Sequence, residues 1–355
     1  MYAVKMLLKK LVAVGLACVL LLGLCSCGEQ AVQEAVSEQT VIQTEAPVTL
    51  EPTPEPTPEP TERPLLPVDI TDYCIDSAMF EEAAEQGSVS VLEYTTYDYS
   101  LAECPEVAKQ AMVYLPSGYS EEEQYDVVFL LHPASADEFF WLFYEHSCVC
   151  ADGTFKSFPL RNLLDNMIEK SCCRPFIAVA PDCYLDDTAR VSRNSSKDFE
   201  QFKQEFANDL LPSVVSSFST YASGTGRAEL AEVRRHFGVL GASFGAYMVY
   251  RSFLGPNADL LSYYCCTGGG NMDPEWLEEM WYGKEPASCG IDLLYFVEGE
   301  YDDRTPVELS AYKLMNDCDS FNQSNLLYTM LYGTGHEDQE WVTALYNALQ
   351  LFFRK

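Results

Sequence analysis

Short apolar runs bounded by turn residues recur from about residue 89 to the end of the chain. Runs near 89–96 and 107–115 read as strands, followed by others near 126–132, 175–180, 236–240, 261–267, 291–297 and 325–332. Some are unbroken, as in Leu293-Leu-Tyr-Phe-Val297, the pattern of a strand buried on both faces. Helical patterns fall between most of the later runs. The last keeps Trp341, Leu345, Leu349 and Phe352 at helical spacing. This order predicts one α/β domain over residues 68–355, with a mostly parallel central sheet and helices on both faces.

Before residue 68 the pattern changes twice. Lys5, Lys9 and Lys10 precede an apolar run of about fourteen residues, Leu11 to Leu24, too short to span a bilayer comfortably and suited to an export signal. It ends in Leu24-Cys-Ser-Cys27, which resembles a bacterial lipobox and marks Cys27 for lipidation. Residues 1–27 are thus expected to be a lipoprotein signal peptide, and the mature chain to be held on the outer face of a membrane by its lipid alone. Residues 28–67 are polar, acidic and of low complexity, with Glu51-Pro-Thr-Pro repeating toward Pro64. Such a segment forms no core. Its fourteen-residue Pro-rich part, extended at about 3.1 Å per residue, makes a stalk of roughly 40 Å.

Composition narrows the partners. A net charge of −32 opposes nucleic-acid binding, which needs a basic surface. Of 14 cysteines, Cys18, Cys25 and Cys27 lie in the export segment, and the other 11 cannot all pair within one chain. Some disulfides among Cys74, Cys104, Cys148, Cys150, Cys172, Cys173 and Cys183 suit an exported protein. The spacing of His146, Cys148, Cys150, Cys172 and Cys173 matches no zinc pattern, so no metal is expected.

The chemistry centres on Val239-Leu-Gly-Ala-Ser-Phe-Gly245, an apolar strand entering Gly-x-Ser-x-Gly with a helical run after it. A serine on so tight a strand-to-helix turn is a nucleophile elbow, and glycines must flank it. The partners of such a serine follow it in the order acid, then histidine. Of the four histidines, His132, His146, His236 and His336, only His336 follows Ser243. Asp302, Asp303 and Glu300 lie just past the strand 291–297, and each is a possible acid. Thr305-Pro-Val-Glu308 reads as a capping box, which leaves Asp302 in the loop proper. One oxyanion donor is expected from Phe244 N–H, and a second from Ala134 or Ser135, since Pro133 has no N–H. Phe140, Trp141 and Trp276 are candidates to line an acyl pocket. Acyl transfer of this kind needs no cofactor.

Several ordered motifs resemble those of the feruloyl and acetylxylan esterases, carbohydrate esterase family one, within the esterase D and mycolyltransferase-like branch of the α/β-hydrolases. Val113-Tyr-Leu-Pro-Ser-Gly-Tyr119 is similar to its "VYLPxGY" segment, and Leu130 to Trp141 to its oxyanion loop. Phe176 to Asp182, Phe206 to Pro212, Gly299 to Asp302, and Gly335-His336 with Trp341 match further motifs in order. The "GxxD" motif selects Asp302 as the acid. The resemblance implies the α/β-hydrolase fold, a Ser243–Asp302–His336 triad and hydrolysis of feruloyl or acetyl esters on plant xylan. It leaves open an acyltransferase on the same triad, or a binding protein without turnover. The chain departs from the family where oxyanion-loop glycines become Pro133, Ser135 and Ala136.

Overall fold

The computed structural model describes residues 64–192, 195–269, 290–318 and 321–354. The export segment, Cys27, nearly all of the acidic linker and Trp276 lie outside the described residues.

The described residues form ten strands: β1 Ser88–Tyr97, β2 Glu106–Leu115, β3 Asp126–Leu131, β4 Glu145–Val149, β5 Phe155–Pro159, β6 Phe176–Pro181, β7 Phe237–Ala242, β8 Tyr263–Thr267, β9 Leu293–Gly299 and β10 Leu326–Leu331. Eight of them form one sheet in the order β1-β2-β6-β3-β7-β8-β9-β10. β2 runs antiparallel to β1 and β6, and every pair from β6 to β10 is parallel. This is the α/β-hydrolase fold that the motifs implied.

Burial explains why the central strands read as unbroken apolar runs. Every residue of β3, β6, β7, β8 and β9 is buried, because helices cover both faces. Alternate side chains divide between two cores. Val127, Phe129 and Leu131 face one, with Phe206 and Phe253, while Val128 and Leu130 face the other, with Trp141 and Leu345. Edge strand β1 instead alternates, burying Leu92, Tyr94 and Thr96.

Three features differ from the sequence expectation. β4 and β5 form a separate antiparallel hairpin that the apolar pattern did not announce. Thr305 does not cap its helix. It is the first helical residue, its hydroxyl donates to Gly299 O at 2.7 Å, and Glu308 turns inward. The chain also joins the domain before residue 68, since Leu66 N–H already donates to Ser171 O.

The segment after Leu66 is clasped by the C-terminal helix Asp338–Leu351. Buried Asn347 accepts Thr71 N–H at 3.1 Å and donates to Thr71 O at 2.8 Å, and Gln350 makes the same pair of bonds with Asp69. Ile75, Met79 and Phe80 follow into the second core. Asn347→Ala should therefore lower unfolding stability by about 1–3 kcal/mol, the usual cost of orphaning buried polar partners. Urea denaturation measures this, and an unchanged midpoint would mean that the clasp adds nothing.

Candidate active site

β7 delivers Ser243 at the carboxyl edge of the sheet, with φ 54° and ψ −112°. A non-glycine residue held there stores on the order of 1–3 kcal/mol of strain. Two glycines permit the turn. A Cβ on Gly241 would stand 2.2 Å from the Gly245 carbonyl, and one on Gly245 would stand 2.4 Å from Leu131 O. Ser243 N–H is anchored on Thr267 O at 2.9 Å, and the helix Phe244–Met248 leads away.

The ends of β9 and β10 bring two more groups to this turn. His336 Nε2 lies 2.9 Å from Ser243 Oγ, and His336 Nδ1 lies 2.7 Å from Asp302 Oδ2. Asp302 Oδ1 accepts Arg304 N–H at 2.8 Å. Burial pushes the Asp302 carboxyl up, but the bonds from His336 and Arg304 outweigh it and hold it below its ordinary value. The alternatives point elsewhere: exposed Asp303 pairs with Arg304, and Glu300 accepts Gly333 N–H. Trp341 stands edge-on to His336, with ring centres 5.3 Å apart.

The oxyanion side is tied together by a residue that sequence reasoning missed. Tyr184 is buried just past β6, and its ring stacks on Phe244 with centres 5.0 Å apart and planes 6° apart. Exposed Ser135, on the loop beside Tyr184, adopts φ 66°. Ala134 is likewise exposed on the loop. The buried His132 ring fixes the loop's entry, touching Pro133 O at 2.8 Å and accepting Cys183 N–H at 2.9 Å. Trp141 is a correction. It is fully buried and stacks on His146, so it belongs to the core and offers a substrate nothing. Phe140 is half-buried against Trp141 and Trp341.

Beneath the His–Asp pair lies an unforeseen set of buried acids: Glu298, Glu308 and Glu340. Gly268 N–H donates to Glu298, Tyr250 O–H to Glu308, and Thr267 O–H to Glu340. Glu298, Asp302 and Glu340 form the one group among the described residues with oxygens close enough to share a metal ion, within 4.8 Å of one another. Burial raises all three glutamates, Glu308 to about 8, Glu340 to about 9, and Glu298 well above its ordinary value. Cys74, Cys104, Cys148, Cys150, Cys172, Cys173 and Cys183 are free thiols, so the disulfides expected among them are not formed.

A serine, a histidine and a buried aspartate are thus linked in series at the carboxyl edge of this sheet, an arrangement suited to acyl transfer. Residues 106–250 match the model of the Esterase family. Endo-1,4-beta-xylanase Y of Acetivibrio thermocellus is 26% identical over 178 residues, which is 50% of this chain and only 14% of that relative. A feruloyl esterase module from Clostridium thermocellum, solved as a serine-to-alanine mutant complexed with sinapinate, is 20% identical, with TM-score 0.64 over 81% of this chain and 96% of that one. A ferulic acid esterase from the anaerobic fungus Anaeromyces mucronatus is 17% identical, with TM-score 0.59 over 81% of this chain and 98% of that one. The two structures share the fold with this chain. The chain thus has the α/β-hydrolase fold and, over residues 106–250, resembles the Esterase family.

Two outcomes follow from this geometry. A Cβ on Gly268, whose φ is +61°, would lie 3.0 Å from both Asp302 Oδ2 and His336 Nδ1. Gly268→Ala should displace that pair and lower kcat by up to about 100-fold with little change in KM; wild-type kcat would show that the pair tolerates the crowding. The raised glutamates set the second. From pH 4.5, their ordinary value, to about 9, the folded chain keeps protons that the unfolded chain releases, so rising pH favours unfolding. Tm should fall between pH 5 and pH 8, and Glu298→Gln should flatten the slope. An identical slope in that variant would mean that Glu298 does not contribute.

Proposed function

We propose that this chain is an exported serine esterase that releases feruloyl or acetyl groups from plant xylan. The carrying observation is the linked geometry of Ser243 Oγ, His336 and Asp302, at 2.9 and 2.7 Å. In this reading His336 Nε2 takes the Ser243 proton as Oγ attacks the ester carbonyl. The tetrahedral oxyanion rests on Phe244 N–H and a loop N–H near Ala134. His336 then hands its proton to the departing sugar hydroxyl, leaving an acyl-serine. Water attacks that ester, with His336 again as base, and the acid leaves. Asp302 holds the imidazole through Nδ1–H and balances its charge.

The substrate class is supported by the relatives: one is a xylanase, and two structural neighbours are feruloyl or ferulic acid esterases. Leu24-Cys-Ser-Cys27 supports lipid anchoring outside the cell, with the acidic Pro-rich stretch as a spacer.

The test compares hydrolysis of methyl ferulate, 4-nitrophenyl acetate and acetylated xylan by the wild type and Ser243→Ala. The variant should lose at least about 10⁴-fold in kcat, with the fold intact. The preferred ester then names the acyl group. A folded wild type inactive on all three, or a Ser243→Ala variant as active as wild type, overturns the reading. Product captured by an added sugar acceptor would instead identify an acyltransferase.

A further inference from the structure

The acyl-transfer steps above use Asp302 but none of the three glutamates packed behind it. Glu340 is the one whose oxygen converges with Asp302 Oδ2 and His336 Nδ1 around Gly268. Its carboxyl is inserted between two glycines at strand ends. A Cβ on Gly268 would meet Glu340 Oε1 at 3.1 Å, beside Asp302 Oδ2 and His336 Nδ1, and one on Gly299 would meet Glu340 Oε2 at 2.6 Å. Oε1 accepts the Thr267 hydroxyl at 2.9 Å, and the Glu340 carboxyl lies within 4.8 Å of that of Asp302.

Two buried carboxyls this close hold one proton between them, because two adjacent anions without a cation are too costly. Around Glu340 stand Asp302, Glu298, Tyr328 and His336. Of these only His336 can carry positive charge, and its Nδ1 is already directed at Asp302. Asp302 accepts His336 Nδ1–H and Arg304 N–H, both of which favour its anion. The shared proton therefore belongs to Glu340.

We propose that Glu340 is a positioning residue that stays protonated and donates its O–H to Asp302, holding the carboxylate at the angle from which it orients His336. The inference rests on the esterase reading of the site. Burial and the Asp302 charge push the Glu340 carboxyl up to about 9, so the donor is present throughout neutral pH. Above that value the proton leaves, the bond to Asp302 is lost, and a second anion faces the His–Asp pair.

The test measures kcat and KM for methyl ferulate from about pH 6 to 10 in the full chain, Glu340→Gln and Glu340→Leu. It adds the far-downfield NMR resonance of the His336 Nδ1 proton. The amide of Glu340→Gln donates at every pH. That variant should keep most of kcat at pH 7, lose the alkaline limb near pH 9 and retain the resonance. Glu340→Leu should lose about 10- to 100-fold in kcat with KM little changed, and its resonance should shift. The proposal is overturned if Glu340→Gln keeps the wild-type alkaline limb, or if Glu340→Leu keeps wild-type kcat. It is equally overturned if EDTA abolishes activity and calcium restores it, which would put a cation among the carboxyls. An inactive wild type whose resonance moves in the Leu variant but not in the Gln variant would sustain the positioning role and sink the esterase reading instead.

Discussion

The backbone of Ser243 turns through φ 54°, a conformation that no unsupported serine would keep, and the carboxyl edge of the sheet is organised around holding it there. Missing Cβ atoms at Gly241 and Gly245 let the turn close on itself and against Leu131 O. That second contact joins β3 to the elbow, so the strand that opens the oxyanion loop and the strand that bears the serine cannot move independently. Ser243 N–H on Thr267 O adds β8 to the same unit. The strain is thus balanced by packing from three neighbouring strands, and the hydroxyl meets His336 without a further adjustment.

The acids behind the pair show a second constraint, the cost of burying charge. Asp302 remains anionic although it is almost fully buried, because an imidazole and a backbone N–H satisfy its oxygens. Glu298, Glu308 and Glu340 lack comparable partners, and one oxygen of each accepts no hydrogen bond. Such a carboxyl is neutralised by a proton sooner than by solvent that cannot reach it. One ionised acid among protonated neighbours gives the pair a negative charge at one defined place. An edge on which all four were ionised would fix neither the charge nor the imidazole.

Much of this was legible along the chain, and the reasons are physical. Strands buried on both faces must be apolar throughout, so β3, β7 and β9 announce themselves. The elbow needs glycines at fixed offsets, and the order of serine, acid and histidine leaves one histidine to choose. These rules bring Ser243, Asp302 and His336 into view from the chain alone. The hairpin β4–β5 escaped because its alternate residues face solvent and its apolar content is low. Glu308 and Glu340 escaped because a buried protonated acid on a helix has the same letter as a solvated one. Glu308 even mimicked a capping box. Trp141 misled for the converse reason: an aromatic beside a catalytic loop reads the same whether its ring faces the cleft or the core.

The oxyanion loop shows how a chain can do without the freedom that glycine supplies. Ser135 occupies a left-handed conformation at φ 66°, which costs a side-chain-bearing residue about 1 kcal/mol or more. Tyr184 lies beside it, and the Tyr184 ring lies flat against Phe244, the residue after the serine. Arg190 packs over the same ring and pairs with Asp182, whose neighbour Cys183 donates to His132 at the loop's start. Both sides of the oxyanion region are therefore referred to one buried tyrosine. A glycine-rich loop reaches its working shape through backbone latitude, whereas this one is held in shape by tertiary contacts. The loop's departure from a glycine pattern is compensated by what packs behind it.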